Sequence, residues 1–139
     1  MAAMGAPAST ERWVDPTLSG CTVLIVEDHA DSAELLGTVL RSLRAHVVDA
    51  RSISEAERLI VQLRPHLIVC DIRLPDGTGA DLVRWLRWQR PPLRSTPVIG
   101  ITVWDQYFPK SMTADFDAYM TKPVSLDKFC SAAVALARW

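Results

Sequence analysis

The sequence predicts an α/β domain: a doubly wound parallel sheet of five strands with helices on both faces. Short β-branched runs alternate along the chain with stretches of helical period, the pattern of a βαβα protein. Runs such as Val23 to Val26 and Leu67 to Cys70 are apolar throughout rather than alternating, as strands buried on both faces can be. The segments between them are long enough to return the chain for parallel pairing by right-handed crossovers.

Residues 1–19 are rich in Ala, Pro, Ser and Thr and lack either periodicity, so they are expected to form a flexible N-terminal leader. The domain is expected over 20–139. Its strands are read at Thr22 to Val26, His46 to Ala50, Leu67 to Cys70, Val98 to Thr102 and Ala118 to Thr121. Between the first two, Ala33, Leu36, Leu40 and Leu43 recur at the spacing of an amphipathic helix. Ala56, Leu59, Ile60 and Leu63 form the second stripe, Leu82, Trp85 and Leu86 the third, and Leu126, Phe129, Ala133 and Leu136 the last. The fourth connection, Asp105 to Ala114, has poor periodicity and is interrupted by Pro109, which predicts a short or distorted helix.

Composition narrows the function classes. A chain of 139 residues, 49% hydrophobic and 22% charged, suits one globular domain. The formal net charge of -1 lacks the basic excess that non-specific nucleic-acid binding needs, so no direct nucleic-acid contact is expected. Apolar runs such as Val23 to Val26 are far shorter than the ~20 residues that span a bilayer, and Met1 to Gly20 carries no secretory pattern. No membrane association and a cytoplasmic location are the expectation. Cys21, Cys70 and Cys130 are odd in number and widely spaced, which argues for small buried hydrophobes rather than a disulfide or zinc framework.

In such a sheet, ligands collect outside the carboxyl ends of the strands. There the sequence places Glu27 and Asp28 after the first strand, Asp71 after the third, Thr102 at the fourth and Lys122 after the fifth. If the first and third strands are neighbours, three carboxylates converge, and two unit charges at 4 Å repel by about 4 kcal/mol at an effective dielectric of 20. A small hard cation offsets this repulsion, so an acidic Mg²⁺ pocket is expected. Lys122 and the Thr102 hydroxyl suit a phosphoryl group. No GxxxxGK[ST] or GxGxxG loop occurs, so the acceptor is expected to be a side chain rather than a nucleotide. Asp71, a carboxylate nucleophile, is the natural one.

The segments Val23-Leu24-Ile25-Val26-Glu27-Asp28, Leu67-Ile68-Val69-Cys70-Asp71 with Leu74-Pro75-Asp76-Gly77-Thr78-Gly79, Pro97-Val98-Ile99-Gly100-Ile101-Thr102, and Tyr119-Met120-Thr121-Lys122-Pro123 together resemble the receiver domain of bacterial two-component response regulators. The resemblance runs from about Cys21 to the C-terminus. It implies a flavodoxin-like (βα)5 fold with strand order 2-1-3-4-5. It also implies that Asp71 accepts a phosphoryl group from a sensor histidine kinase or histidine phosphotransfer protein. Glu27, Asp28, Asp71 and the backbone carbonyl of Arg73 then hold Mg²⁺. Lys122 pairs with the phosphoryl group, Pro123 supports it after a cis bond, and Thr102 and Tyr119 form a switch pair. The implied protein is a single-domain switch rather than an enzyme, signalling by contact with a downstream protein, with a homodimer compatible.

Departures from the pattern carry expectations of their own. Val103 stands where the family has Ala or Gly, so its β-branched side chain at the rim is expected to slow dephosphorylation. Asp115 replaces a common glycine, a minor change because aspartate tolerates a left-handed backbone. The altered fourth connection leaves open how the signal leaves the domain. Trp104, Tyr107 and Phe108 crowd that connection, either as a packed loop or as a partner-docking patch. A receiver-like adaptor independent of phosphorylation is the alternative reading. A hydrolase with an aspartyl-phosphate intermediate is disfavoured, because its DxD pattern needs an acid at Arg73.

Elsewhere the plainer readings prevail. Gly77 and Gly79 read as turn glycines with Thr78 opening the third helix, and Arg84, Arg87, Arg90 and Arg94 as a solvated helix face. Of Trp85 and Trp88, one is expected to pack and the other to be exposed. His29 lies beside the acidic pair, placed to tune it.

Overall fold

The computed structural model describes residues 17–103 and 115–137. Five strands form one parallel sheet: β1 (Thr22–Val26), β2 (His46–Ala50), β3 (Leu67–Asp71), β6 (Val98–Val103) and β7 (Ala118–Lys122), in the order β2-β1-β3-β6-β7. Every pairing in it is parallel. A two-stranded antiparallel hairpin, β4 (Arg73–Leu74) and β5 (Gly77–Thr78), sits directly after β3. The helices are α1 (Ala30–Ser42), α2 (Ile53–Leu63), α3 (Gly79–Arg87) and α4 (Leu126–Leu136), with a short 3₁₀ turn at Leu93–Ser95. The main-sheet order is the flavodoxin-like one the resemblance implied, and each predicted strand lies within a residue of an observed one. The tiny hairpin and the 3₁₀ turn have no periodicity to betray them. The fourth connection, with Pro109, Trp104, Tyr107 and Phe108, lies outside the described residues.

The continuous apolar strands supply two cores at once. Odd-numbered positions Val23, Ile25, Leu67 and Val69 pack beneath Ala33, Leu36 and Leu40 of α1 and Phe129 and Ala133 of α4. Even-numbered Leu24, Val26, Ile68 and Cys70 face Ile53, Ala56 and Ile60 of α2 and Leu82, Val83 and Leu86 of α3. This period-2 split is how a parallel strand serves both sides of a sheet. Trp85 is half-buried against the second core, whereas Trp88 is 88% exposed. Leu18 is fully buried in the first core and its N–H donates to the Leu43 carbonyl, so the packed unit begins before Gly20.

Helix starts are capped by side chains. Ser52 accepts from Glu55 N–H ahead of α2, and the Asp76 carboxylate, from the hairpin, accepts from Ile53 N–H (2.8 Å) and Ser54 N–H (3.1 Å). Those bonds hold the Asp76 carboxyl below its usual range, against a smaller desolvation effect. Thr78 and Asp81 form a reciprocal capping box at α3, as the reading of Thr78 as a helix opener expected. Gly77 is a turn residue at φ 153°.

Gly79 does more than turn the chain. Its N–H donates to the Ile72 carbonyl at 2.7 Å, and a Cβ there would come within 2.7 Å of the Asp71 carbonyl oxygen. The α3 start is thereby pressed onto the segment that carries Asp71. Arg87 departs from the solvated reading: its guanidinium donates to the carbonyls of Arg94 and Thr96 and to Asp117 Oδ2, which also accepts from Val98 N–H. Helix α3 is thus tied to the starts of β6 and β7. The remaining three arginines are exposed.

Candidate functional site

The pairing of β1 with β3, Val26 beside Cys70, brings the next residues of both strands to one rim. Glu27 is 2% and Asp71 6% exposed, while Asp28 and Lys122 are partly exposed. Lys122 reaches across from β7 and donates from Nζ to Glu27 Oε2 at 3.1 Å, with Asp71 Oδ2 at 3.6 Å. Residues 27 and 122 are 95 positions apart, so only the sheet order can bring them together. The Arg73 N–H donates to Asp71 Oδ1 at 3.3 Å, which places the Arg73 backbone against the same carboxylate.

Charge crowding shows in the protonation of the two buried acids. Burial pushes Asp71 up, the neighbouring Glu27 pushes it further, and Lys122 and the Arg73 N–H oppose them, leaving it at about 6. Glu27 feels burial too. The His29 N–H, Lys122 and a hydrogen bond with Asp71 outweigh it and hold Glu27 below its usual range. The two acids divide one constraint, with Glu27 kept as the anion and Asp71 bearing the cost.

Glu27, Asp28, His29 and Asp71 each present a donor atom within 4.8 Å of the others. Opposite ligands of an octahedral Mg²⁺ lie about 4.2 Å apart, so the spread suits a small cation with part of its shell completed by water. Asp28 Oδ1 is shielded from solvent and accepts no hydrogen bond among the described residues, an orphan oxygen of the kind a cation would satisfy. The residues present therefore fit the metal that the resemblance implied.

Other predicted residues are placed differently. The buried Thr102 donates its hydroxyl to its neighbour's carbonyl, Val103 O, at 3.2 Å rather than to the carboxylates. Tyr119 is 38% exposed on the edge strand β7. Val103 is 63% exposed and lies beside Lys122 in the β6–β7 register, at the rim. The Lys122–Pro123 bond is cis. His29, read from sequence only as a neighbour of the acidic pair, is in contact with it: Nδ1 lies 3.1 Å from Glu27 Oε1 and 3.3 Å from Asp28 Oδ1. Its position beside two consecutive acids was the signal available. Gly79 was legible as a turn but not as the residue that seats α3 on Asp71.

Cavities elsewhere are of another character. One of about 470 Å³ lies at the opposite end of the sheet, lined by Arg64, Pro65, Leu93, Pro97 and Leu136 among others. No helix among the described residues is long and apolar enough to cross a membrane.

The family model for the response regulator receiver domain matches residues 23–134. The response regulator protein PilR of Pseudomonas aeruginosa is 36% identical over 108 residues, covering 76% of this chain but 23% of PilR. The probable transcriptional regulatory protein TcrX of Mycobacterium tuberculosis is 34% identical over 119 residues, with half of its own length covered. The chain thus spans half or less of these relatives. The polar-differentiation response regulator DivK of Brucella anthropi is 30% identical over 110 residues, covering 78% of this chain and 89% of DivK. A putative response regulator from Chloroflexus aurantiacus superposes with a TM-score of 0.75 at 30% identity, covering 85% of this chain and 98% of that one. The receiver domain of the Pseudomonas aeruginosa sensor histidine kinase PA1611, solved with a magnesium ion in its active-site cleft, has a TM-score of 0.77 at 24% identity, covering 84% and 97%. By its sheet order and by these matches, the chain belongs to the response regulator receiver domain family.

Proposed function

We propose that Asp71 accepts a phosphoryl group from a phosphohistidine on a sensor kinase or phosphotransfer protein, and that the loaded chain signals by contact with a downstream protein. The observation that carries this reading is the meeting of Asp71, Glu27 and Lys122 from three different strands at one buried rim. An Asp71 carboxylate oxygen attacks phosphorus, the P–O bond forms as the P–N bond of the donor breaks, and the departing imidazole nitrogen takes up a proton. Lys122, already shared between two carboxylates, is placed to follow the incoming negative charge. A divalent cation held by Glu27, Asp28, Asp71 and the Arg73 carbonyl would neutralise charge on the phosphoryl oxygens.

The readout would follow from the same charge event. Thr102 satisfies its hydroxyl locally in the present state and Tyr119 is turned outward, so both have somewhere to go when phosphoryl oxygens arrive. A cytoplasmic location is part of the same proposal, since the role requires access to a kinase's phosphohistidine.

Incubation with acetyl phosphate and Mg²⁺, read by intact mass, tests the proposal. The wild-type chain should gain one phosphoryl group, while Asp71→Asn and wild type in chelator should gain none. A gain that persists in Asp71→Asn would place the acceptor elsewhere. No gain under any condition would favour the phosphorylation-independent adaptor.

A further inference from the structure

We propose that Asp76 is a positioning residue for phosphoryl uptake: by gripping the start of α2 it fixes the hairpin that presents the Arg73 backbone to Asp71. The inference rests on the reading of Asp71 as phosphoacceptor and deepens it with a residue whose own bonds are made to another element.

The hairpin has little to hold it by itself. Its ladder is two residues on each side, Arg73 with Thr78 and Leu74 with Gly77, and isolated two-stranded hairpins are marginal even when longer. Yet the site depends on where it lies. Arg73 N–H donates to Asp71 Oδ1 at 3.3 Å, the long end for such a bond, so a small displacement of the hairpin breaks it. The Arg73 carbonyl, the expected backbone ligand of the cation, moves with the same strand.

Two helix starts hold the hairpin in place. After β5 the chain runs straight into α3, where Thr78 and Asp81 cap each other and Gly79 N–H donates to the Ile72 carbonyl. At the turn, both oxygens of Asp76 are taken by α2: Oδ1 accepts from Ile53 N–H at 2.8 Å and Oδ2 from Ser54 N–H at 3.1 Å. Hydrogen bonds to an ionised carboxylate are the stronger kind, and the positive end of the helix dipole adds to them. Gly77 follows so closely that a Cβ there would stand 2.7 Å from Ile53 Cδ1.

Ser52 caps the same helix start, accepting from Glu55 N–H at 3.2 Å and meeting the Ser54 hydroxyl at 3.3 Å. Those bonds stay within its own segment, whereas those of Asp76 tie α2 to the hairpin. Without the Asp76 anchor, Leu74 still rests against the second core, so the hairpin loosens and the domain stays folded. Phosphoryl transfer is sensitive to such loosening, because a misplacement of about 1 Å can cost ~100-fold in rate.

The paired variants Asp76→Ala and Ser52→Ala separate positioning from helix capping. Each removes one capping side chain from the start of α2, at a similar cost in stability, and Asp76 is exposed, so both are expected to fold. Uptake from acetyl phosphate at saturating Mg²⁺ is followed by intact mass over time, and exchange of the Arg73 amide hydrogen by NMR in the metal-free chain. Asp76→Ala should slow uptake by ~10-fold, the scale on which partners behind a working group are felt. It should speed Arg73 exchange by ~10-fold as well. Ser52→Ala should change neither by more than about 2-fold. Equal slowing by the two variants would reduce Asp76 to a helix cap and overturn the proposal, as would Arg73 exchange unchanged by Asp76→Ala. Normal uptake by Asp76→Ala would overturn it while leaving the phosphoacceptor reading intact. No uptake by wild type would overturn that reading, and this role with it.

Discussion

Removing the negative charge of Asp71 should stabilise the metal-free protein. Its carboxyl is raised from an ordinary 3.8 to about 6, first by burial and then by Glu27. Ionising it in the folded state therefore costs about 3 kcal/mol relative to the unfolded chain, at 1.36 kcal/mol per pKa unit. The sign is the reverse of a salt-bridged aspartate. Between about pH 4 and pH 6 the folded chain binds more protons than the unfolded one, so stability falls as pH rises, and the full penalty is present above pH 6. Asn at this position keeps the size and the acceptor for the Arg73 N–H while deleting the charge. Because the Glu27 and Asp71 carboxylates share one Lys122 ammonium, the gain belongs to the cluster rather than to Asp71 alone, and about 1–3 kcal/mol is expected. Urea unfolding in chelator, followed by far-ultraviolet circular dichroism, should show Asp71→Asn more stable than wild type at about pH 7.5, with the gap closing near pH 4. Saturating Mg²⁺ should close most of the gap or reverse it by stabilising wild type, about 2.7 kcal/mol at one hundred times Kd. If Asp71→Asn is no more stable than wild type at neutral pH in chelator, the carboxylates are not crowded as the structure places them.

Three further outcomes are expected. Gly79→Ala should cost about 1–3 kcal/mol in urea unfolding, since the new Cβ would meet the Asp71 carbonyl oxygen at 2.7 Å, and should also slow phosphoryl uptake; a variant normal in both would mean that α3 can shift freely. Asp76→Ala should cost about 0.5–2 kcal/mol in the same assay, because it leaves Ile53 N–H and Ser54 N–H without their acceptor. Unchanged stability would mean that Ser52 suffices as the cap. Val103→Ala should hasten loss of the phosphoryl group after the donor is removed, measured by intact mass over time, because the exposed valine flanks Lys122 at the rim; an unchanged rate would remove Val103 from the control of access.

What the sequence disclosed follows how local each signal is. Strands such as Leu67–Asp71 are short apolar runs bounded by polar residues, and the stripe of Ala33, Leu36 and Leu40 is a local period, so both were readable. Sheet order is not a local property. It came from the resemblance, and with it the neighbourhood of Glu27, Asp71 and Lys122. The capping box of Thr78 and Asp81 spans three residues, whereas Asp76 caps a helix 23 positions upstream and leaves no pattern along the chain. Arg87 looked like one of four solvated arginines because its acceptors, two carbonyls and Asp117, belong to other elements. Gly79 carried the mark of a turn, while its tight approach to Asp71 exists only in three dimensions. His29 was visible beside two acids, but where its ring points depends on how the chain enters α1.

Chemical capture of the acyl phosphate tests the phosphoacceptor assignment most directly. After loading with acetyl phosphate and Mg²⁺, borohydride reduction converts a phosphorylated aspartate to homoserine, which peptide mass spectrometry locates by position. Homoserine at position 71 alone is expected. Homoserine at position 28, or none in a chain that has gained phosphoryl mass, would contradict the role assigned to Asp71.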